Sequence, residues 1–309
     1  MIRVGPAGWS YADWEGTVYP KRKSRGFHPL RYLARFVDCV EINSTFYGAP
    51  RADWCERWVR ELSDAPEFAL TAKLQDVFTH GEASGASTSG AAELERSAAQ
   101  WLEGIEPLRA SGRLRAVLVQ FPISFRRSPS AEARLTRIEG MFGHLPLVLE
   151  VRHRSWFEPE GRSCIQRLGY SLAHIDLPDA AEHPPSNLAS SAPSPPLAAG
   201  PIGYVRLHGR NRQAWFDARA GRDQRYDYLY APEELEGIMR VTEHMAGEVD
   251  EAFVITNNHF AGKAVVNALE LLASMGEGIP SAPPDLVRRY PQLAGQVSVQ
   301  GQNELFPGA

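Results

Sequence analysis

Short runs of β-branched and apolar residues alternate along this chain with longer runs whose apolar positions recur every three or four residues. Strand-like runs fall near Ile2–Val4, Cys39–Ile42, Phe68–Ala72, Leu114–Val119, Leu147–Val151, Tyr170–Ile175, Tyr204–Leu207 and Ala252–Thr256. Helical spacing marks Pro29–Phe36, Ala52–Leu62, Ala91–Leu108, Ala131–Phe142, Pro232–Ala246 and Gly262–Ser274. In Ala91–Leu108, the residues Leu94, Ala98, Trp101, Leu102 and Ile105 share one face, the stripe of a helix that lies on a sheet. Eight strands, each followed by a helix or a long loop, make an α/β fold and predict a closed TIM-type (β/α)8 barrel. An open doubly wound sheet has the same rhythm, but it usually carries a glycine-rich phosphate turn after its first strand. Here the first strand leads into Gly8–Trp9–Ser10–Tyr11, which favours the barrel.

Two stretches break the rhythm. Residues 178–201 are dense in Pro, Ala and Ser and read as a flexible insertion after the sixth strand. From about Gly276 the chain is rich in Pro, Gly and Gln and reads as a weakly structured tail. The expected organisation is therefore one barrel domain over residues 1–275 and a flexible C-terminal tail over residues 276–309. The 309 residues are 43% hydrophobic, too apolar for general disorder, and 33 basic against 37 acidic side chains give a net charge of −4. Any nucleic-acid contact must then come from a local patch rather than an overall positive coat. Cys39, Cys55 and Cys164 are odd in number and lack a C-x-x-C pair, which fits a reducing compartment better than a disulfide framework or a structural zinc. The N-terminus enters a strand at once and no apolar run approaches the ~20 residues of a membrane span, so a cytoplasmic protein with no membrane contact is expected.

The informative positions are the strand ends. In a barrel, the carboxyl ends of all strands converge on one mouth, where barrel enzymes place their chemistry. This chain ends almost every strand in polar or reactive residues: Trp9 and Ser10, Glu41 and Asn43, Lys73, Gln120, Glu150 with Arg152 and His153, His174 with Asp176, Arg206 with His208, and Asn257, Asn258 and His259. So many polar groups are costly to bury unless they bind something or one another. Alternation along the strands pairs Glu41 with Asn43, Glu150 with Arg152, His174 with Asp176 and Arg206 with His208, each pair expected to face the barrel interior. Glu41, Lys73, Glu150, Asp176, His208 and His259 are the candidate acid–base groups. Trp9, Tyr11, Asn43, Gln120, Arg152, Arg206, Arg210, Arg212, Asn257 and Asn258 are candidate binding groups. Glu41, Glu150, Asp176 and His208 could instead hold a divalent metal. No compact ligand motif occurs, however, and interspersed Arg and Lys would repel a cation, so an ion-pair network that binds an anion ranks above a metal site. No cofactor is specified.

The same residues lie in blocks that resemble the YecE-like family, known as domain of unknown function seventy-two. These are GWSYADWEGTVYP (Gly8–Pro20), VEINSTFYGAP (Val40–Pro50), FALTAKLQDVFTH (Phe68–His80), VQFPISF (Val119–Phe125), LEVRHRSW (Leu149–Trp156), YVRLHGR (Tyr204–Arg210) and NNHFAGKAVVNA (Asn257–Ala268), in the family's order. Val18, where the family often has an aromatic residue, and the long Pro/Ala/Ser insertion depart from the pattern. Neither touches the polar mouth. The resemblance implies a TIM barrel with a polar pocket at its carboxyl face and implies no reaction.

Basic residues rim the expected mouth among aromatics. Lys21–Arg25 (KRKSR) stands beside Trp9, Tyr11, Trp14 and Tyr19, and Arg210, Arg212, Arg219, Arg222 and Arg225 stand among Trp215, Phe216, Tyr226 and Tyr228. This suits single-stranded or distorted nucleic acid, as a binding site or a phosphodiesterase-like hydrolase, or a phosphorylated or carbohydrate-like small substrate in a metabolic enzyme. The alternative is that Asp13, Glu15, Asp217, Asp223 and Asp227 neutralise the rim and the aromatics simply pack. In the tail, Gln302-Asn303-Glu304-Leu305-Phe306 resembles the Q-x-x-L-F peptide that docks bacterial proteins on the replicative sliding clamp. Gln302, Leu305 and Phe306 are the expected partner-binding residues, and they tilt the choice toward nucleic-acid transactions.

Overall fold

A computed structural model describes residues 1–80, 90–180, 182–183 and 201–299. Eight parallel strands form one sheet: β1 (Ile2–Pro6), β2 (Cys39–Ile42), β3 (Ala69–Lys73), β4 (Leu114–Gln120), β5 (Leu147–Glu150), β6 (Ser171–Asp176), β7 (Ile202–Leu207) and β8 (Glu251–Thr256). Around them run α1 (Pro29–Leu33), α2 (Ala52–Glu61), α3 (Asp76–Thr79), α4 (Ala91–Ala110), α5 (Pro129–Phe142), α6 (Pro159–Arg167), α7 (Arg212–Phe216), α8 (Arg222–Arg225), α9 (Pro232–Ala246) and α10 (Lys263–Ser274). From β2 to β8 each strand pairs with the next in sequence, and β1 pairs with β8, which gives a nearly closed (β/α)8 barrel. The seam between β1 and β2 is closed by an Ala7–Glu41 bridge, with Gly8 N–H donating to the Glu41 carbonyl at 2.8 Å and Asp38 N–H to the Val4 carbonyl at 3.0 Å. Gly5 makes this approach possible, because a Cβ there would lie 1.8 Å from the Cys39 carbonyl oxygen.

Two cores result. The outer one joins the helices to the outward strand faces; Ala98, Trp101, Ile105 and Leu108 of α4 are buried in it, as the helical stripe predicts. The inner one fills the barrel with Ala7, Cys39, Ala69, Ala116, Leu118, Val148, Ala173, Ile202, Tyr204, Phe253 and Ile255. Ala7 just after β1 and small residues on β2, β3, β4 and β6 leave room for the rings of Tyr204 and Phe253, whose centroids are 5.9 Å apart. At the amino end, Glu251 closes the barrel by accepting from Arg3 at 2.5 Å and Arg115 at 3.0 Å. At the carboxyl end, two residues further along the same faces, β2, β4, β5 and β7 carry Glu41, Gln120, Glu150 and Arg206. That layer is the mouth.

Residues 276–299, expected to be weakly structured, fold back on the barrel instead. They form β9 (Ser281–Ala282), α11 (Pro284–Arg289) and β10 (Ser298–Val299), with Ala282, Leu286 and Leu293 fully buried. Tyr290 donates to the Ala261 carbonyl at 2.9 Å, and Arg289 to Thr17 Oγ1 at 3.0 Å, which ties this segment to the loops after β8 and β1. The Pro283–Pro284 pair starts a helix here, since proline is tolerated in a first turn whose N–H groups need no partner. Most of the Pro/Ala/Ser insertion, and Gln302, Leu305 and Phe306 of the tail motif, lie outside the described residues. Among the described residues no helix is long and apolar enough to cross a membrane.

Candidate functional site

The carboxyl-end layer is built around one guanidinium. Arg206, at the end of β7, grips Glu41 of β2 with two bonds, Nε to Oε2 at 3.0 Å and Nη2 to Oε1 at 2.7 Å. Its Nη1 donates to Glu150 Oε2 of β5 at 2.5 Å. Tyr204, two residues below Arg206 on the same face, donates to Glu41 Oε2 at 2.9 Å and meets Thr71 Oγ1 at 2.8 Å. Glu150 Oε1 accepts from Gln120 at 2.6 Å and from Arg152 Nε and Nη2 at 2.9 and 2.7 Å. His208 Nε2 lies 3.7 Å from Glu150 Oε1, while its Nδ1 is 2.9 Å from the Asn257 amide nitrogen. Lys73, at the end of β3, sits with Nζ 4.5 Å from the Phe46 ring centroid, within the electrostatic reach of Arg206, Glu41, Glu150 and Arg152. Three cationic and two anionic side chains thus share the floor, an excess of one positive charge when Lys73 is protonated.

Burial alone would push the Glu150 carboxyl up, but the guanidiniums of Arg206 and Arg152 outweigh it and hold Glu150 well below the usual carboxylate range. Burial lowers His208 to about 3, against the opposing pull of Glu150, so its imidazole is neutral. Burial, and next the charge of Arg206, bring the Lys73 ammonium down to about 8. A lysine that releases its proton near pH 8 is fit for proton transfer, whereas His208 serves as a neutral hydrogen-bonding imidazole.

An aromatic wall faces this floor. Tyr11 stacks on His259 with centroids 4.4 Å apart, His259 lies 5.4 Å from Tyr226, and Tyr226 lies 5.7 Å from Trp215 and 6.1 Å from His208. The loops after β1 and β8 lock together to present it. Trp14 Nε1 donates to the His259 carbonyl at 2.8 Å, and Asp13 Oδ2 accepts from Ala261 N at 2.5 Å. Ala261 has a left-handed φ of 57°, a strained conformation held by these bonds and the one from Tyr290. Gly8, with φ of 80°, passes where a Cβ would lie 2.8 Å from the Tyr11 hydroxyl.

Residues 3–288 match the family described as Protein of unknown function DUF72. The chain belongs to the DUF72 family. It is 28% identical over 280 residues to UPF0759 protein YunF of Bacillus subtilis, covering 88% of this chain and 94% of that protein. It is 26% identical over 159 residues to UPF0759 protein YecE of Escherichia coli K12, about half of each chain (51% and 50%). A DUF72 family protein of Thermotoga maritima shares the fold with a TM-score of 0.72 at 30% identity, over 90% of this chain and 100% of that one. Another, from Enterococcus faecalis, gives 0.74 at 27% identity, over 90% and 96%. The GWSYADW and NNHFAGK blocks of this DUF72 chain are thereby explained locally: they are the two halves of the locked loops that present the Tyr11–His259 stack.

The mouth therefore brings together Glu41, Lys73, Gln120, Glu150, Arg152, Arg206, His208 and Asn257 on the floor, and Tyr11 and His259 on the wall. Asp176 is not among them, contrary to the expected inward pairing of His174 and Asp176. Ile175 is in register with the inward Arg206, and Asp176 with the outward Leu207, so the phase of β6 turns Asp176 toward the helices. There it accepts from Arg210 at 2.8–3.1 Å and from the Tyr230 hydroxyl at 2.6 Å, while Arg210 also binds Glu234 at 2.7 Å. Asn258 belongs to the same side and donates to Asn267 and to the Tyr228 carbonyl. Trp9 packs edge-on against Trp58 of α2, the Asn43 amide lies against the Gly8 turn, and Arg212 rests over Phe216 and donates to the Asp179 carbonyl. Sequence reasoning left out Tyr204, Thr71 and Phe46 as site residues, and named Trp215 and Tyr226 only among the aromatics of the rim. For Tyr204 the signal was available, since it shares the parity of Arg206.

Arg206→Ala would leave Glu41 fully buried without its cation, a loss of about 3–5 kcal/mol at pH 7. In the wild type Glu150 has a folded-state pKa well below its unfolded value, so its stabilisation is complete above about pH 5, starts to fade as pH falls through the unfolded value, and is lost progressively toward the low folded-state value. Urea unfolding should therefore show the gap between wild type and Arg206→Ala widest at neutral pH and narrower near pH 4. A gap independent of pH would contradict the ion-pair assignment.

Proposed function

We propose that the mouth binds a small phosphorylated carbohydrate and acts on it. The observation that carries this reading is the division of one mouth into a cation-rich floor and an aromatic wall. Arg206 is 1% exposed and fully engaged, whereas the Arg152 side chain is 19% exposed and can turn its remaining N–H groups to a phosphate, with Lys73 adding positive charge. The faces of Tyr226 and Trp215 offer apolar surface for a sugar ring, Lys73 supplies a group for proton transfer, and His208 is a neutral hydrogen-bonding imidazole. The rim favours a small ligand over a polyanion, because much of its charge is engaged within the protein. Arg210 binds Asp176 and Glu234, Lys23 binds Glu15, Arg126 binds Glu182, Arg127 binds Glu132 and Arg219 binds Asp217. Titration calorimetry with glycerol 3-phosphate and glucose 6-phosphate tests this. Binding is expected, weakened about tenfold or more by Arg152→Ala, the loss of a charge-assisted hydrogen bond. No binding of any phosphate, or an unchanged affinity in Arg152→Ala, contradicts it.

The tail motif supports a second reading, in which the protein handles single-stranded or distorted nucleic acid and is recruited by the bacterial sliding clamp. Leu305 and Phe306 would enter an apolar pocket on the clamp while the Gln302 amide hydrogen-bonds beside it. A peptide spanning residues 295–309 should bind purified clamp, and Leu305→Ala with Phe306→Ala should abolish binding. Equal binding by both peptides would remove this reading.

A further inference from the structure

The chain contains 29 arginines and four lysines, and one of the four lies in the mouth. The others have surface roles: Lys23 pairs with Glu15, Lys263 pairs with Asp227, and Lys21 lies exposed beside Gly16. Lys73 differs from them. Among the described residues its Nζ has no hydrogen bond and no ion pair, because Arg206 occupies both Glu41 and Glu150. Its Nζ lies over the Phe46 ring, 4.5 Å from the centroid. For holding an anion, a lysine here has no advantage over the arginines used at the other cationic floor positions, which present more donors and never lose their charge. What an amine offers and a guanidinium does not is a lone pair.

We propose that Lys73 is a carbonyl-condensing amine, whose Nζ forms an imine with an aldehyde or ketone group of the substrate. This rests on reading the mouth as a sugar-phosphate site, since an open-chain sugar phosphate carries such a carbonyl. The neutral amine attacks the carbonyl carbon, a C=N bond replaces C=O, and the two amine hydrogens leave with the oxygen as water. No oxidant or reductant is needed. Protonated, the iminium keeps the positive charge that Lys73 brings to the floor. Burial and the neighbouring Arg206, against the pull of Glu41 and Glu150, hold the free amine in reach near pH 8.

The test uses the full chain, glyceraldehyde 3-phosphate and sodium cyanoborohydride, which reduces an imine to a stable secondary amine. Peptide mapping by mass spectrometry then reads each of the four lysines. The expected result is modification concentrated on Lys73, suppressed by glycerol 3-phosphate, which has no carbonyl, and lost from the mouth in Lys73→Arg. Lys73→Met replaces that variant if circular dichroism shows the longer side chain disturbs the fold. Calorimetry with glycerol 3-phosphate on the wild type separates the two ideas. Binding with Lys73 modified no faster than Lys21 overturns the imine and leaves the phosphate site standing; no binding and no modification overturns both.

Discussion

Arg206 reaches from β7 to carboxylates on β2 and β5, both bonded to it, with almost no exposure to water. Removing three charged groups from solvent is unfavourable, and their mutual attraction offsets that cost only when the geometry satisfies nearly every donor and acceptor. The surrounding residues follow from that requirement. Tyr204 and Thr71 lie beneath Glu41, Gln120 and Arg152 saturate Glu150, and small residues lower in the barrel make room for Tyr204. Hydrophobic residues of similar volume would fill the same space without the desolvation penalty. The network is therefore better understood as a device that fixes charges at the mouth than as a source of stability.

Fixing them there has consequences for the groups around it. With both carboxylates bonded to arginines, the pull of Glu150 does not overcome the burial of His208, which stays neutral, and the pull of Glu41 and Glu150 on Lys73 does not offset burial and the charge of Arg206. A second, half-buried cluster, Asp176 with Arg210, Glu234 and Tyr230, lies behind β6 and β7 and plays a different part. The Tyr230 hydroxyl accepts from Gly209 N–H at 2.8 Å and donates to Asp176, which anchors the start of the loop that carries Trp215 and Tyr226. One ion-pair cluster sets the floor and the other supports the wall.

Much of this was legible in the sequence, for a physical reason. Strands of a barrel are buried on both faces, so they read as continuous apolar runs, and a charged residue that interrupts such a run at its carboxyl end stands out. Glu41, Glu150 and Arg206 were visible in that way. Asp176 stood out equally, but alternation fixes only relative phase, and the register that turns Ile175 inward depends on a neighbouring strand. Trp215 and Tyr226 sit on a long loop, where no periodicity says which aromatic turns toward the mouth. Residues 276–299 were read as weakly structured because Leu286 and Leu293 are isolated anchors in elements too short to show a period. α6 escaped for a similar reason, burying only Gly161, Cys164 and Ile165 in a polar stretch.

The most direct measurement replaces the whole network by neutral groups of similar size, Glu41→Gln, Arg206→Met and Glu150→Gln together, and compares stability with glycerol 3-phosphate binding. If the buried charges serve the mouth, the triple variant folds with stability near that of the wild type and loses the ligand. A triple variant that binds the phosphate as the wild type does would contradict the account.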